Sequence, residues 1–199
     1  MRTLSKVLEL NDVAELERNI SGISISFCVI KAPYTDAAKK VIRELRNTPR
    51  NFMVLLPKDI IPNEKAMKLA AFLTYKSFEY GTNISKHVPI QFLLNLFATR
   101  QIRDVMNLID KYWKDEVVAV EIRLPGLGKG NSSLIEDLRQ SGIACDDVKS
   151  IEGDLSMLAN KVYGIRDETE AVQYTGGRND YLIKSILTKI AYFGAISSR

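Results

Sequence analysis

The chain has 199 residues, enough for one well-packed domain and short for two, with 46% hydrophobic and 26% charged residues. Its densest apolar run, Phe92 to Ala98, is far too short to cross a bilayer, and the N-terminus lacks the apolar core and cleavage site of a secretory signal. The net charge of +4 is uneven: residues 1–110 hold 16 basic against 11 acidic side chains, while residues 111–199 hold 12 against 13. A positive bias confined to one half suits an anionic partner such as RNA, and solvated surface lysines would also produce it.

Thr3–Leu10 alternates weakly as a first strand, followed by a short helix from Asn11 or Asp12 to Arg18. Ile23–Lys31 is rich in β-branched and aromatic residues, which suits a strand. Pro33-Tyr34-Thr35-Asp36 then offers a helix start, with Ala37, Val41 and Leu45 on one side. Asn51–Leu56 is a second strand closed by Pro57, and Pro62-Asn63-Glu64 opens a long helix stopped by Gly81. Residues 88–98 and 101–110 read as two helices separated at Ala98–Arg100, and Val117–Leu124 as a third strand. Pro125–Gly130 is a glycine-rich loop, Asn131 to Ser133 supply candidate caps for a helix over 133–140, and helices follow at 154–163 and 178–193. Strands and helices interleave without a repeat or a splitting linker. The expectation is one α/β (α+β) domain spanning 1–199, a small mixed or antiparallel sheet packed by several helices.

Catalytic signatures are few. His87 is the only histidine, and no G-x-S-x-G, H-E-x-x-H or C-x-x-C is present. The loop "PGLGKGNSS" departs from the phosphate-loop pattern, because Gly130 follows Lys129 and Arg123 stands where the first glycine belongs. It has no third glycine at dinucleotide-fingerprint spacing either. Asp167, Glu168 and Glu170 fit an acidic loop or helix start. Cys28 and Cys145 have no metal-ligand spacing, and the expectation for both is a buried free thiol in a cytosolic protein. No cofactor or metal is called for, and no enzyme activity is expected.

The long helix carries more information. At 100° per residue Lys65, Lys68, Phe72 and Lys76 share one face, with Tyr75 close by. Ala66, Met67, Ala70, Leu73, Thr74 and Phe78 face the core side. Ammonium groups around an aromatic ring suit single-stranded nucleic acid, the charges following phosphates while a base stacks on the ring. The plain alternative is that Phe72 is covered and the lysines are solvated surface. Further on, Lys86 and His87 open the helix pair, and Arg100, Gln101 and Arg103 occupy its break. On charge and face, the RNA-contact candidates are Lys68, Phe72, Lys76, Lys86, Arg100 and Arg103. Exposed apolar positions such as Ile102 and Met106 on the central helices, and Tyr181 and Ile186 on the last helix, are candidates for a protein partner.

The run "AAFLTYKSFEYG", then "ISK", then "FLLNLFATRQIRDVM" resembles the Cgi-type kinase-binding proteins, called TPRKB in animals, and its "LFATRQIRDVM" is more similar to archaeal than to animal members. The closing stretch "RNDYLIKSILTKIAYF" and the chain length agree with that resemblance, which is most specific over residues 66–110. These proteins are accessory subunits of the KEOPS complex, which makes N6-threonylcarbamoyladenosine (t6A) in tRNA. The resemblance implies a cytoplasmic, non-catalytic adaptor that binds the atypical kinase/ATPase subunit and recruits tRNA by its single-stranded 3′ CCA end. Two rivals remain: a small enzyme using Gly126–Gly130 for a phosphorylated ligand, and a protein-interaction module without RNA contact.

Overall fold

A computed structural model of the chain describes residues 17–45, 47–126, 133–165 and 177–197. The strand expected at Thr3–Leu10 and most of the following helix lie outside these residues; the helical stretch at 17–21 leads into the first described strand. The strands are β1 (Ser24–Lys31), β2 (Asn51–Pro57), β3 (Glu116–Arg123) and β4 (Asp146–Val148). They form one sheet in the order β2-β3-β1-β4 with every pairing antiparallel. The helices are α1 (Tyr34–Glu44), α2 (Glu64–Glu79), α3 (Val88–Leu96), α4 (Ile102–Tyr112), α5 (Leu134–Gln140), α6 (Leu155–Met157) and α7 (Gly177–Ser197). A tight turn at Lys58–Ile60 follows β2, and a widened helical turn at Leu158–Val162 continues α6. No helix among the described residues is long and apolar enough to cross a membrane.

The sheet is covered on both faces, so β3 reads as a nearly unbroken apolar run instead of alternating. Phe27, Phe52, Val54, Val118 and Val120 point to one side, into the core built by α2, α3, α4 and α7. Cys28, Ile30, Met53, Val117 and Ala119 point to the other, under α1 and α5. The helix α1 buries Ala38 and Ile42, whereas Ala37 is exposed and Val41 and Leu45 are half-buried. Its sequence offers two overlapping stripes one residue apart, and packing against the sheet buries the one carrying Ala38 and Ile42.

Asn63 caps α2 by accepting a hydrogen bond from the Ala66 amide at 2.8 Å. Ala66, Met67, Ala70 and Thr74 are buried as expected, and so are Leu69 and Ala71. Two helices explain the wider burial: α3 packs on one flank of α2 and α7 on another. The α7 contact is close, since a Cβ placed on Gly194 would lie 2.7 Å from a Leu73 methyl. Between α2 and α3 runs a buried polar chain. Thr74 donates to the Ala70 carbonyl at 2.7 Å, Asn95 donates to the Thr74 hydroxyl at 2.9 Å, and Gln91 accepts from the Ile84 and Ser85 amides at 2.7 and 3.0 Å. That chain fixes the loop holding Lys86 relative to α2.

The free-thiol expectation is overturned. Cys28 and Cys145 form a disulfide between Cα atoms 5.6 Å apart. They are 117 residues apart in sequence. Only the crossover from β3 through α5 to the far side of β1, which sets β4 at the sheet edge, brings them together, and no local spacing reveals it.

Candidate nucleic-acid interface

The C-terminal half of α2 presents Phe72, Tyr75, Lys76 and Glu79 beside the turn that enters β2 and the exit of β3. In that turn Thr48 and Asn51 bond each other's backbone, which holds the neighbouring Arg50 at the rim. Arg50 donates to the Pro125 carbonyl at 3.0 Å and to the Tyr75 hydroxyl at 2.7 Å. Its guanidinium carbon also lies 4.7 Å from the centre of the Tyr75 ring. Together with Asn19, Phe72, Lys76, Leu124 and Pro125 these groups line a cleft of about 260 Å³.

Lys76 is the electrostatic centre of this cleft. Its Nζ lies 2.7 Å from Glu79 Oε2 and 5.3 to 5.8 Å from the rings of Tyr80, Tyr75 and Phe72. The hydrogen bond from Lys76 holds the Glu79 carboxyl below the usual carboxylate range. The same bond raises Lys76 above the ordinary lysine value, against the opposing effect of its partial burial. Tyr75 links the two cations by accepting from Arg50 and donating to Glu79 at 3.2 Å. The cleft thus holds two cations next to aromatic rings, with the Glu79 carboxylate beside Lys76, an arrangement able to take a phosphate on one side and a base on the other.

Of the six RNA candidates, Phe72 and Lys76 line this cleft. Phe72 is half-buried, one side of it packed against the core. Lys68 does not reach the cleft; it pairs with Glu64 one turn earlier at 2.8 Å. Lys86, Arg100 and Arg103 are exposed and lie outside the cleft. The break between α3 and α4 has a clear geometric origin. Ala98 takes a left-handed conformation with φ of 50°, Thr99 closes back on the Leu94 carbonyl, and the Gln101 amide bonds the Thr99 hydroxyl. The backbone is satisfied locally, so the side chains of Arg100, Gln101 and Arg103 are left to solvent.

The partner candidates divide as well. Ile102 is 43% exposed at the start of α4, and Met106 is half-buried against the core. Tyr181 is half-buried. Ile186 is a correction: at 1% exposure it is a core residue, because Leu182, Ile186 and Ile190 recur every four residues on the face of α7 turned inward. The exposed large apolar residues of α7 are Tyr192 and Ile196.

Arg50, Asn19, Leu124 and Pro125 escape sequence inspection because no helical stripe or motif marks them. Arg50 sits in a turn, and it meets Pro125 only after β2 and β3 pair and Tyr75 only after α2 packs back beside that turn. The glycine-rich loop is described only as far as Gly126, so that candidate lies largely outside the described residues. At its far end, the buried carboxylate of Glu121 accepts from the Leu134 amide at 2.9 Å, the Ser133 hydroxyl at 2.7 Å and Arg123 at 2.8 Å. The amide and hydroxyl that open α5 are therefore occupied by the protein's own anion.

Compared with known proteins, the chain matches no family model and no curated sequence.

Proposed function

We propose that this chain is a non-catalytic accessory subunit of a KEOPS-type tRNA-modifying complex, which binds the atypical kinase/ATPase subunit and holds the single-stranded 3′ CCA end of tRNA. The observation that carries the RNA part is the cleft of Arg50, Phe72, Tyr75 and Lys76, in which cations and aromatic rings share one opening of about 260 Å³. Its Phe72, Tyr75 and Lys76 lie on α2, within the stretch whose sequence resembles the Cgi-type proteins. A base enters against the rings while its phosphates meet Arg50 and Lys76; Arg100 and Arg103 serve as a second, exposed basic edge. The kinase meets the chain at Ile102, whose exposed side chain adjoins that edge. The site of action would be the cytoplasm.

The test is copurification of the native chain, probed for a kinase subunit and for tRNA, with a titration of labelled tRNA with and without its CCA end. Binding should fall with salt at a log–log slope of about −2 to −3 for 3–4 neutralised phosphates of a single strand. Phe72→Ala should weaken binding by about 1–3 kcal/mol while leaving that slope nearly unchanged, since a stacked ring releases no counterions. Full affinity for tRNA lacking CCA, or binding insensitive to salt, refutes the RNA assignment and leaves the protein-interaction reading.

A further inference from the structure

The short strand β4 closes the outer edge of the sheet, and what holds it there is unevenly distributed. It pairs with β1 over three positions only, Phe27 with Val148, Cys28 with Asp147 and Val29 with Asp146. On its other side β1 is paired with β3 over eight positions. The ion pairs that pin β4 are solvent-facing: Lys31 to Asp146 at 3.6 Å and Arg139 to Asp147 at 2.5 Å. Exposed pairs of this kind contribute little. The strand is mostly exposed, and of its three residues only the half-buried Val148 packs against the core. The firm tether is the disulfide from Cys145, immediately before β4, to Cys28 in the middle of β1.

The two ends of that disulfide differ. Cys28 is fully buried, whereas Cys145 is half-buried. Beside Cys28, an Arg139 Nη lies 3.8 Å from the sulfur. A thiolate is stabilised by an adjacent guanidinium and leaves more readily for it. We propose that Cys28–Cys145 is a thiol–disulfide exchange site, at which a dithiol reductant releases β4 from the edge of the sheet.

The exchange proceeds in two displacements. A thiolate of the dithiol attacks the Cys145 sulfur, the intramolecular bond breaks, and its electron pair leaves on Cys28 beside Arg139. The second thiol of the reductant, once deprotonated, attacks the mixed disulfide, so that the reductant closes its own disulfide and Cys145 leaves as thiolate. Two electrons and two protons pass from the dithiol to the cysteine pair. Release has a defined consequence. Asp146 and Val148 form one wall of an open groove of about 460 Å³ with Val29, Lys31, Ser150 and Ile151, and that wall departs with β4. The outer edge of β1 is then free to pair with another strand. The proposal rests on the position of the disulfide and stands apart from the RNA reading.

The experiment treats the full native chain with dithiothreitol and follows free thiols by alkylation and hydrogen exchange by mass spectrometry. Reduction should proceed faster than global unfolding, with amides of Asp146–Val148 exchanging about tenfold faster or more while β2 and β3 stay protected. Cys145→Ser should show the same local loosening without reductant. Brief treatment with glutathione should trap the mixed disulfide on Cys145, and Arg139→Gln should slow reduction severalfold. Reduction that waits for global unfolding, loosening spread evenly over the sheet, a glutathione adduct on Cys28, or faster reduction of the Arg139 variant each overturns the proposal.

Discussion

Glu79 and Lys76 provide the sharpest test of the cleft, because removing either one should move RNA binding in opposite directions. Arg50, Lys76 and Glu79 sum to one positive charge, and the 2.7 Å contact ties up Lys76 in the free protein. The Glu79 carboxylate competes with an incoming phosphate for the Lys76 ammonium. Glu79→Gln doubles the net positive charge and removes that competitor, so affinity should rise about 2–5-fold at low salt and converge with wild type as salt screens the site. Lys76→Gln should weaken binding and flatten the log–log salt slope by about 0.7, the share of one single-strand phosphate contact. Over a fourfold change in salt, that contact alone amounts to a factor of about 2.6. In the double variant the gain from Glu79→Gln should shrink, since its route through Lys76 is gone. The pH dependence follows from the shifts. The depressed Glu79 carboxyl contributes above its ordinary value of 4.5 and loses its contribution as pH falls through its lowered value. The raised Lys76 contributes below 10.5 and loses it as pH rises through its higher value. Across the neutral range the pair is intact, so the Glu79→Gln gain should be flat with pH. Anisotropy titrations of a labelled tRNA 3′ strand measure all of this. If both variants shift affinity in the same direction, or neither alters the salt slope, the cleft does not receive phosphate.

Three further outcomes concern the frame that positions the site. The buried Tyr163 hydroxyl donates to the Leu96 carbonyl at 2.7 Å, and burial pushes it far above its ordinary 10.0. Tyr163→Phe should cost about 1–3 kcal/mol at neutral pH by orphaning that carbonyl. It should also lessen the loss of stability that wild type shows as pH rises past 10.0, where only the unfolded tyrosine ionises; equal alkaline slopes in denaturant titrations refute this. Gly153→Ala should destabilise by about 1–3 kcal/mol, as the added Cβ would lie 2.7 Å from the Asp59 carbonyl carbon and 3.0 Å from the Ile61 oxygen, both backbone atoms. An unchanged melting temperature would show that the 150–153 segment yields freely. Asn95→Ala should cost about 1–3 kcal/mol by leaving Gln91 and Thr74 short of partners in the core, and calorimetry showing no loss would remove the buried polar chain as the element that seats α3.

Much of this architecture is written in local pattern. The strand-like runs at Ile23–Lys31, Asn51–Leu56 and Val117–Leu124 become β1, β2 and β3 within a residue or so, because apolar runs with β-branched and aromatic residues suit a buried pleated surface. Asn63 and Gly81 bracket α2 for reasons internal to the helix, a side-chain cap at one end and a left-handed glycine with φ of 67° at the other. Placing Phe72 and Lys76 on one face of α2 likewise needs only helical geometry. Tertiary structure decided what meets that face. Arg50 reaches Pro125 because β2 pairs with β3 and reaches Tyr75 because α2 packs back beside the start of β2, whereas Lys68 turns to its own Glu64 and never reaches the cleft. The inward turn of Ile186 and the choice of Ala38 and Ile42 over Ala37 and Val41 depend on which neighbour each helix finds. The pairing of Cys28 with Cys145 across 117 residues is the extreme case. Periodicity reports one element's own geometry, and a contact between distant segments exists only once the sheet order β2-β3-β1-β4 has brought them side by side.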